Sequence, residues 1–127
     1  MKKIILAVFI GGLTLISSCS DSSDNDVSEQ VITLNQLEIN DLKFLREEEK
    51  LARDVYLFSY GIYELQIFKN ITKSEQQHIN SVLKLLISYN LDDSASETIG
   101  VFNNPELQSI YNNLIEKSKK SLLDALE

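Results

Sequence analysis

The sequence has no tryptophan and only one cysteine, one proline, one histidine and four glycines in 127 residues. A single cysteine excludes an intramolecular disulfide. So little proline and glycine, with few β-branched runs, leaves almost nothing to punctuate or favour strands, and an all-helical domain is expected. Basic residues are also in short supply. Twelve Lys and Arg face 19 Asp and Glu, for a net charge of −7, and loss of a leader carrying Lys2 and Lys3 would make the balance more acidic still. That argues against nucleic-acid binding and against attraction to anionic lipid. The length allows one small domain with a modest core. One histidine, and one cysteine in a lipid-attachment context, leave no Ser/His/Asp or Cys/His catalytic set. No glycine-rich loop is available to cradle phosphate.

The N-terminus is a basic start (Lys2, Lys3), an apolar run from Ile4 to Ile16 and the small residues Ser17 and Ser18 before Cys19. This pattern describes a secretory leader at residues 1–18, too short to be a comfortable membrane span. Leu15-Ile16-Ser17-Ser18-Cys19 resembles a bacterial lipobox, whose cysteine is acylated and becomes the mature N-terminus, so Cys19 is the expected lipidation site and a membrane the expected partner. The competing reading is an uncleaved anchor helix with an incidental cysteine; both place the domain outside the cytoplasm. Residues 19–33 are then a lipidated, flexible tether, because Ser20 to Gln30 has almost nothing apolar to offset the entropy of ordering it. Ser20-Asp21-Ser22-Ser23-Asp24 looks like the export signal of some Gram-negative lipoproteins, although a plain solvated spacer has the same composition.

The helical domain is expected over residues 34–127. Asn35 with Glu38 makes a capping box, starting a helix that runs to about Ser59, with a turn at Gly61. Its face carries two rows, Leu42, Leu45, Glu49, Ala52 and Tyr56 beside Phe44, Glu48, Leu51, Val55 and Phe58, wide enough to touch two neighbours in a bundle. A second helix takes up around Glu64 to Gln66 and ends near Tyr89 and Asn90, packed antiparallel to the first. The loop Leu91 to Asn103 fails as a calcium loop, because counting from Asp92 puts Glu97 and Asn103 where glycine and a bidentate glutamate are required. Asn104-Pro105 starts a third helix ending near Lys117. Ser118 or Ser121 could cap a fourth segment that stops at Glu127 without a terminating signal.

The second helix carries the chemistry. Phe68, Ile71, Glu75, His78, Val82, Leu85 and Tyr89 recur at spacings of three and four, one stripe of a helix, so Glu75 and His78 are expected to point inward. Buried polar groups need partners, and Glu75-Gln76-Gln77-His78 is an E-x-x-H sequence in which a carboxylate and an imidazole can reach one ion. Such donors suit iron, manganese or zinc. Periodicity places Glu48 nearer the centre of the first helix's face than Glu49. Glu47 to Glu49 also reads as a solvated run with a surface Glu49–Arg53 pair, and His78 as a histidine hydrogen-bonded to Glu75 or Tyr56. Tyr56, Tyr89 and Tyr111 read as packing residues.

Glu49-Lys50-Leu51-Ala52-Arg53-Asp54-Val55-Tyr56 has the form E-x-x-A-x-x-x-Y, which resembles the first iron-ligand helix of ferritins and rubrerythrins. The stretches Arg46 to Tyr56, Phe68 to His78, Gly100-Val101-Phe102 and Leu107 to Leu114 together closely resemble the ferritin-like family called domain of unknown function 2202, from about Leu37 onward. The resemblance implies a ferritin-like antiparallel bundle, here about three helices and the start of a fourth. It also implies Glu49, Glu75 and His78 as metal ligands, with Glu48 the alternate, and a pair of iron or manganese ions used on oxygen, peroxide or iron. The family continues into further helices with another glutamate and a second histidine that this sequence lacks, so half of the site is expected here. A fragment of a longer product, a homodimer pairing two half-sites across a two-fold axis, and a member that binds no metal all fit. A metal-free structural or interaction lipoprotein is the alternative function.

Overall fold

A computed structural model describes residues 33–127. The leader at residues 1–18, and Cys19 with the tether up to residue 32, lie outside the described residues. The described residues form four α-helices and no strand: α1 (Gln36–Tyr63), α2 (Gln66–Ser88), α3 (Pro105–Ser118) and the short α4 (Leu122–Leu126). None of these helices is long and apolar enough to cross a membrane.

Helix starts follow local side-chain chemistry. The Asn35 side chain accepts from the Leu37 and Glu38 N–H groups at 2.9 and 3.0 Å, and Glu38 accepts from the Asn35 N–H at 2.8 Å, which satisfies donors that a helix leaves orphaned at its N-terminus. Asn104 caps α3 in the same way with Pro105 at the first turn, and Ser121, rather than Ser118, caps α4. At the end of α2, Asn90 takes a left-handed φ of 52° and the Leu91 N–H reaches back to the Leu86 carbonyl at 2.8 Å, a common helix stop.

The first helix does not turn at Gly61. It continues to Tyr63, and the turn falls at Glu64, with φ 52° and its N–H on the Tyr60 carbonyl. Glycine weakens a helix interior by only about 1 kcal/mol relative to alanine, and tertiary contacts outweigh that here. The Tyr63 hydroxyl donates to the Ser118 carbonyl at 2.7 Å, and Ser59 meets Ser118 side chain to side chain.

α1 is the central element. α2 returns antiparallel along it: the Phe68 ring lies 6.0 Å from Tyr63 and 6.2 Å from Tyr56, Arg53 reaches Gln76, and Glu49 reaches His78. Along this seam α2 buries Phe68, Ile79, Val82 and Leu86. The second side of α1 receives the loop after α2 and then α3, which runs in the same direction as α1, with Asn104 at Glu47 and Ser118 at Ser59. Leu51, Val55, Phe102, Leu107 and Ile115 form the core there, flanked by Phe58, Ile110, Tyr111 and Leu114. The expected stripe of α2 is therefore rotated. Its buried row passes through Ile79 and Leu86, leaving Leu85 46% exposed and His78 at the edge. On α1, Phe44 and Leu45 are exposed as well.

Two glycines should respond oppositely to alanine. No atom lies within 4 Å of a Cβ built on Gly61, so Gly61→Ala should raise stability by about 0.5–1 kcal/mol in urea unfolding. Gly100 has φ +75°, and its added Cβ would lie 2.8 Å from the Tyr111 hydroxyl; Gly100→Ala should lower stability by more than about 1 kcal/mol.

Candidate metal centre

Glu75 and His78, picked out by their spacing, and Glu49, implied by the family resemblance, meet in the seam between α1 and α2. Glu49 comes from α1, and Glu75 and His78 come from one face of α2, three residues apart. One ligand atom from each lies within 4.8 Å of the others. His78 Nδ1 is 2.9 Å from Glu75 Oε2 and 3.2 Å from Glu49 Oε2. The site is an edge rather than a buried chamber: the side chains of Glu75, Glu49 and His78 are 13%, 22% and 54% exposed.

The electrostatics follow from crowding two carboxylates. Burial, then contact with the Glu75 carboxyl, raises Glu49 above the usual carboxylate range, and the nearby imidazole only partly offsets this. For His78 burial is the largest single influence and pulls its pKa down. Hydrogen bonding and charge from Glu75, then from Glu49, together outweigh it and leave the imidazole a stronger base than usual. Tyr56 is half-buried against Phe68, and burial followed by the charge of Glu75 raises its phenol. Concentrated negative charge sharing one imidazole can be neutralised by protons or by a cation. Two carboxylate oxygens and a ring nitrogen fit iron, manganese or zinc, and three protein ligands would leave coordination positions open. Glu48, the alternate ligand, is exposed and stands outside this cluster, its carboxyl raised by partial burial and by Glu49. Tyr111 packs on Phe102 on the other side of α1.

The glutamate run is solvated only at Glu48. Glu47 is 6% exposed and its two oxygens accept the backbone N–H groups of Asn103 and Asn104 at 2.7 and 3.0 Å. Arg53 does not pair with Glu49; its guanidinium binds Asp54 Oδ1 through Nε and Nη2 at 2.9 and 2.7 Å, and Gln76 through Nη1. Asp54 is fully buried. Its second oxygen takes Lys50 Nζ at 2.6 Å and the Gly100 N–H at 2.9 Å. Lys50, also buried, donates to the Thr98 and Val101 carbonyls and stands 4.3 Å over the Phe102 ring, while Arg46 pairs with Asp93 at 3.0 Å. Sequence reading passed over this network, yet a signal was present. Glu47, Lys50 and Asp54 recur at three and four residues, on the same side of the helix as Leu51 and Val55.

The fold and the site define an all-helical protein whose first two helices carry a Glu/Glu/His cluster in their seam. The model of an uncharacterised protein domain, DUF2202, matches residues 38–127, and the chain belongs to that family. It is 54% identical over 84 residues to the uncharacterised protein MJ0754 of Methanocaldococcus jannaschii, an alignment covering 65% of this chain and 45% of that protein. The crystal structure of hypothetical protein MJ0754 from Methanococcus jannaschii is similar with a TM-score of 0.71 at 44% identity, over 87% of this chain and 58% of that one. The chain thus spans less than half the length of the curated relative it matches.

Removing one member of a buried ion pair strands the others without water. Asp54→Ala should cost about 3–5 kcal/mol in chemical unfolding, whereas Glu48→Ala on the exposed side should stay within about 0.5 kcal/mol.

Proposed function

We propose that this protein is an exported, lipid-anchored domain whose Glu49, Glu75 and His78 hold iron or manganese, in a ferritin-like arrangement that handles oxygen, peroxide or iron. The observation that carries this reading is the convergence of three donors from two helices on one point of the seam. A lone E-x-x-H is weak; with Glu49 added from the facing helix, the set combines the charge and the donor types that such ions require. Carboxylate bundles that hold two ions set two such ligand groups against each other, and this chain supplies one of them.

Each residue has a distinct part in this reading. Glu75, the least exposed, and Glu49 supply the negative charge that makes capture of a divalent cation favourable and can reach it from two directions. His78 donates one ring nitrogen, for which its proton must leave; the adjacent carboxylates can accept that proton or release it to solvent at the open edge. Tyr56, half-buried against Phe68, is near enough to feel the charge of Glu75. A bound ion would supply redox chemistry and open coordination positions for an oxidant. For export and anchoring, the support is the order of residues from Lys2 to Cys19.

Purified protein loaded anaerobically with Fe(II) or Mn(II) should retain metal and melt at a higher temperature than the metal-free form, since a ligand bound only by the native state stabilises it. Glu75→Ala and His78→Ala should each weaken retention at least about tenfold; equal metal content in all three proteins would sink the assignment. In cells fed labelled palmitate, the wild-type chain should take up label and Cys19→Ser should not; label on both, or on neither, would exclude acylation at Cys19.

A further inference from the structure

α2 has a second edge. Opposite the carboxylate seam, a groove of about 830 Å³ runs between α2 and the loop that follows it, within the range of small-molecule sites. Its floor is Arg53 and Leu57 of α1. Lys69, Lys73 and Gln76 of α2 form one wall, and Glu97 and Ile99 of the loop stand on the other side. In a protein of net charge −7, this surface sets three cations against one carboxylate.

We propose that the groove binds a small organic anion, its carboxylate or phosphate held by Lys69 and Lys73 and its apolar body laid over Leu57 and Ile99. Lys69 and Lys73 are one helical turn apart, a spacing at which like charges repel. Among the described residues, neither ammonium has a carboxylate within ion-pair distance. An anion shared between them relieves that repulsion. Arg53 is already fixed, with two nitrogens on Asp54 and the third on Gln76, so the floor is an immobile cationic plane that costs no ordering when a ligand arrives. Lys69 also lies over the Tyr60 ring, 5.9 Å from its centroid. Ile99 is 57% exposed, a large apolar side chain that gains by being covered. Charge alone would suit inorganic phosphate; the apolar side chains of Leu57 and Ile99 select an anion with a hydrocarbon or aromatic body. The site shares no residue with the Glu49/Glu75/His78 cluster and does not depend on metal there.

The test is an amide NMR titration of the protein with phenyl phosphate, with inorganic phosphate and phenol as single-feature controls. Saturable shifts should map to Lys69–Gln77 and Glu97–Ile99, and each control should bind about tenfold more weakly. The Lys69→Gln/Lys73→Gln double variant should lose about tenfold in affinity, Lys84→Gln should match wild type, and added salt should weaken binding. Both lysines are exposed on the helix, so helical circular dichroism should confirm that the double variant folds. The proposal is overturned if phenol binds as well as phenyl phosphate, if the double variant retains wild-type affinity, if the shifts map elsewhere, or if no saturable shift occurs.

Discussion

The carboxylate of Asp54 is the interaction on which the rest of the structure depends. Taken out of water, it would cost several kcal/mol if left alone, and every donor that satisfies it fixes a different part of the chain. Lys50 and Arg53 come from its own helix, while the Gly100 N–H comes from the loop 46 residues later. Lys50 extends the hold to the Thr98 and Val101 carbonyls, and Phe102 follows directly into the core. The loop is therefore set by hydrogen bonds of definite direction rather than by apolar contact alone. Gly100 is needed at the centre, since its left-handed backbone lets the chain pass between Asp54 and the Tyr111 ring.

Much of the fold was legible because its signals are local. Asn35 with Glu38 and Asn104 with Pro105 are capping chemistry that acts within one turn, and they mark the helix starts correctly. The end of the first helix was not legible, since Gly61 is a local signal overruled by the distant contacts of Tyr63 and Ser59 with Ser118. Burial was the harder problem. Hydrophobic patterning treats lysine, arginine and aspartate as solvent residues, so a face built from Glu47, Lys50 and Asp54 reads as surface even though it forms the interface with the loop. The candidate site shows the same division. Glu75 and His78, named from their spacing, do converge with Glu49, which the family resemblance implied where periodicity favoured Glu48. The stripe that turned His78 inward, however, ignored the drift of a 3.6-residue repeat along a helix of 23 residues, and the buried row shifts to Ile79 and Leu86.

That rotation gives α2 two unlike edges on either side of one apolar row. Glu75 and His78 lie towards one, while Lys69, Lys73 and Gln76 lie towards the other. Gln76 and Gln77, the interior residues of the E-x-x-H sequence, line the basic edge, so a single motif contributes to two surfaces of opposite charge. Separation of sign across the width of one helix keeps the lysines from neutralising the seam carboxylates, which preserves the negative charge that a cation would need.

Glu47 caps a helix that is not its own. Both of its oxygens bind backbone donors at the start of α3, where the positive end of the helix dipole lies. A helix of 14 residues is marginal by itself in water, so the first turn of α3 draws support from Glu47 of α1. The dependence is mutual, because the contacts of Tyr63 and Ser59 with Ser118 carry α1 past Gly61. α3 is thus tied to α1 at both of its ends, by Glu47 at its start and by Ser118 against Ser59 and Tyr63 at its close, so loosening either helix withdraws contacts that the other needs.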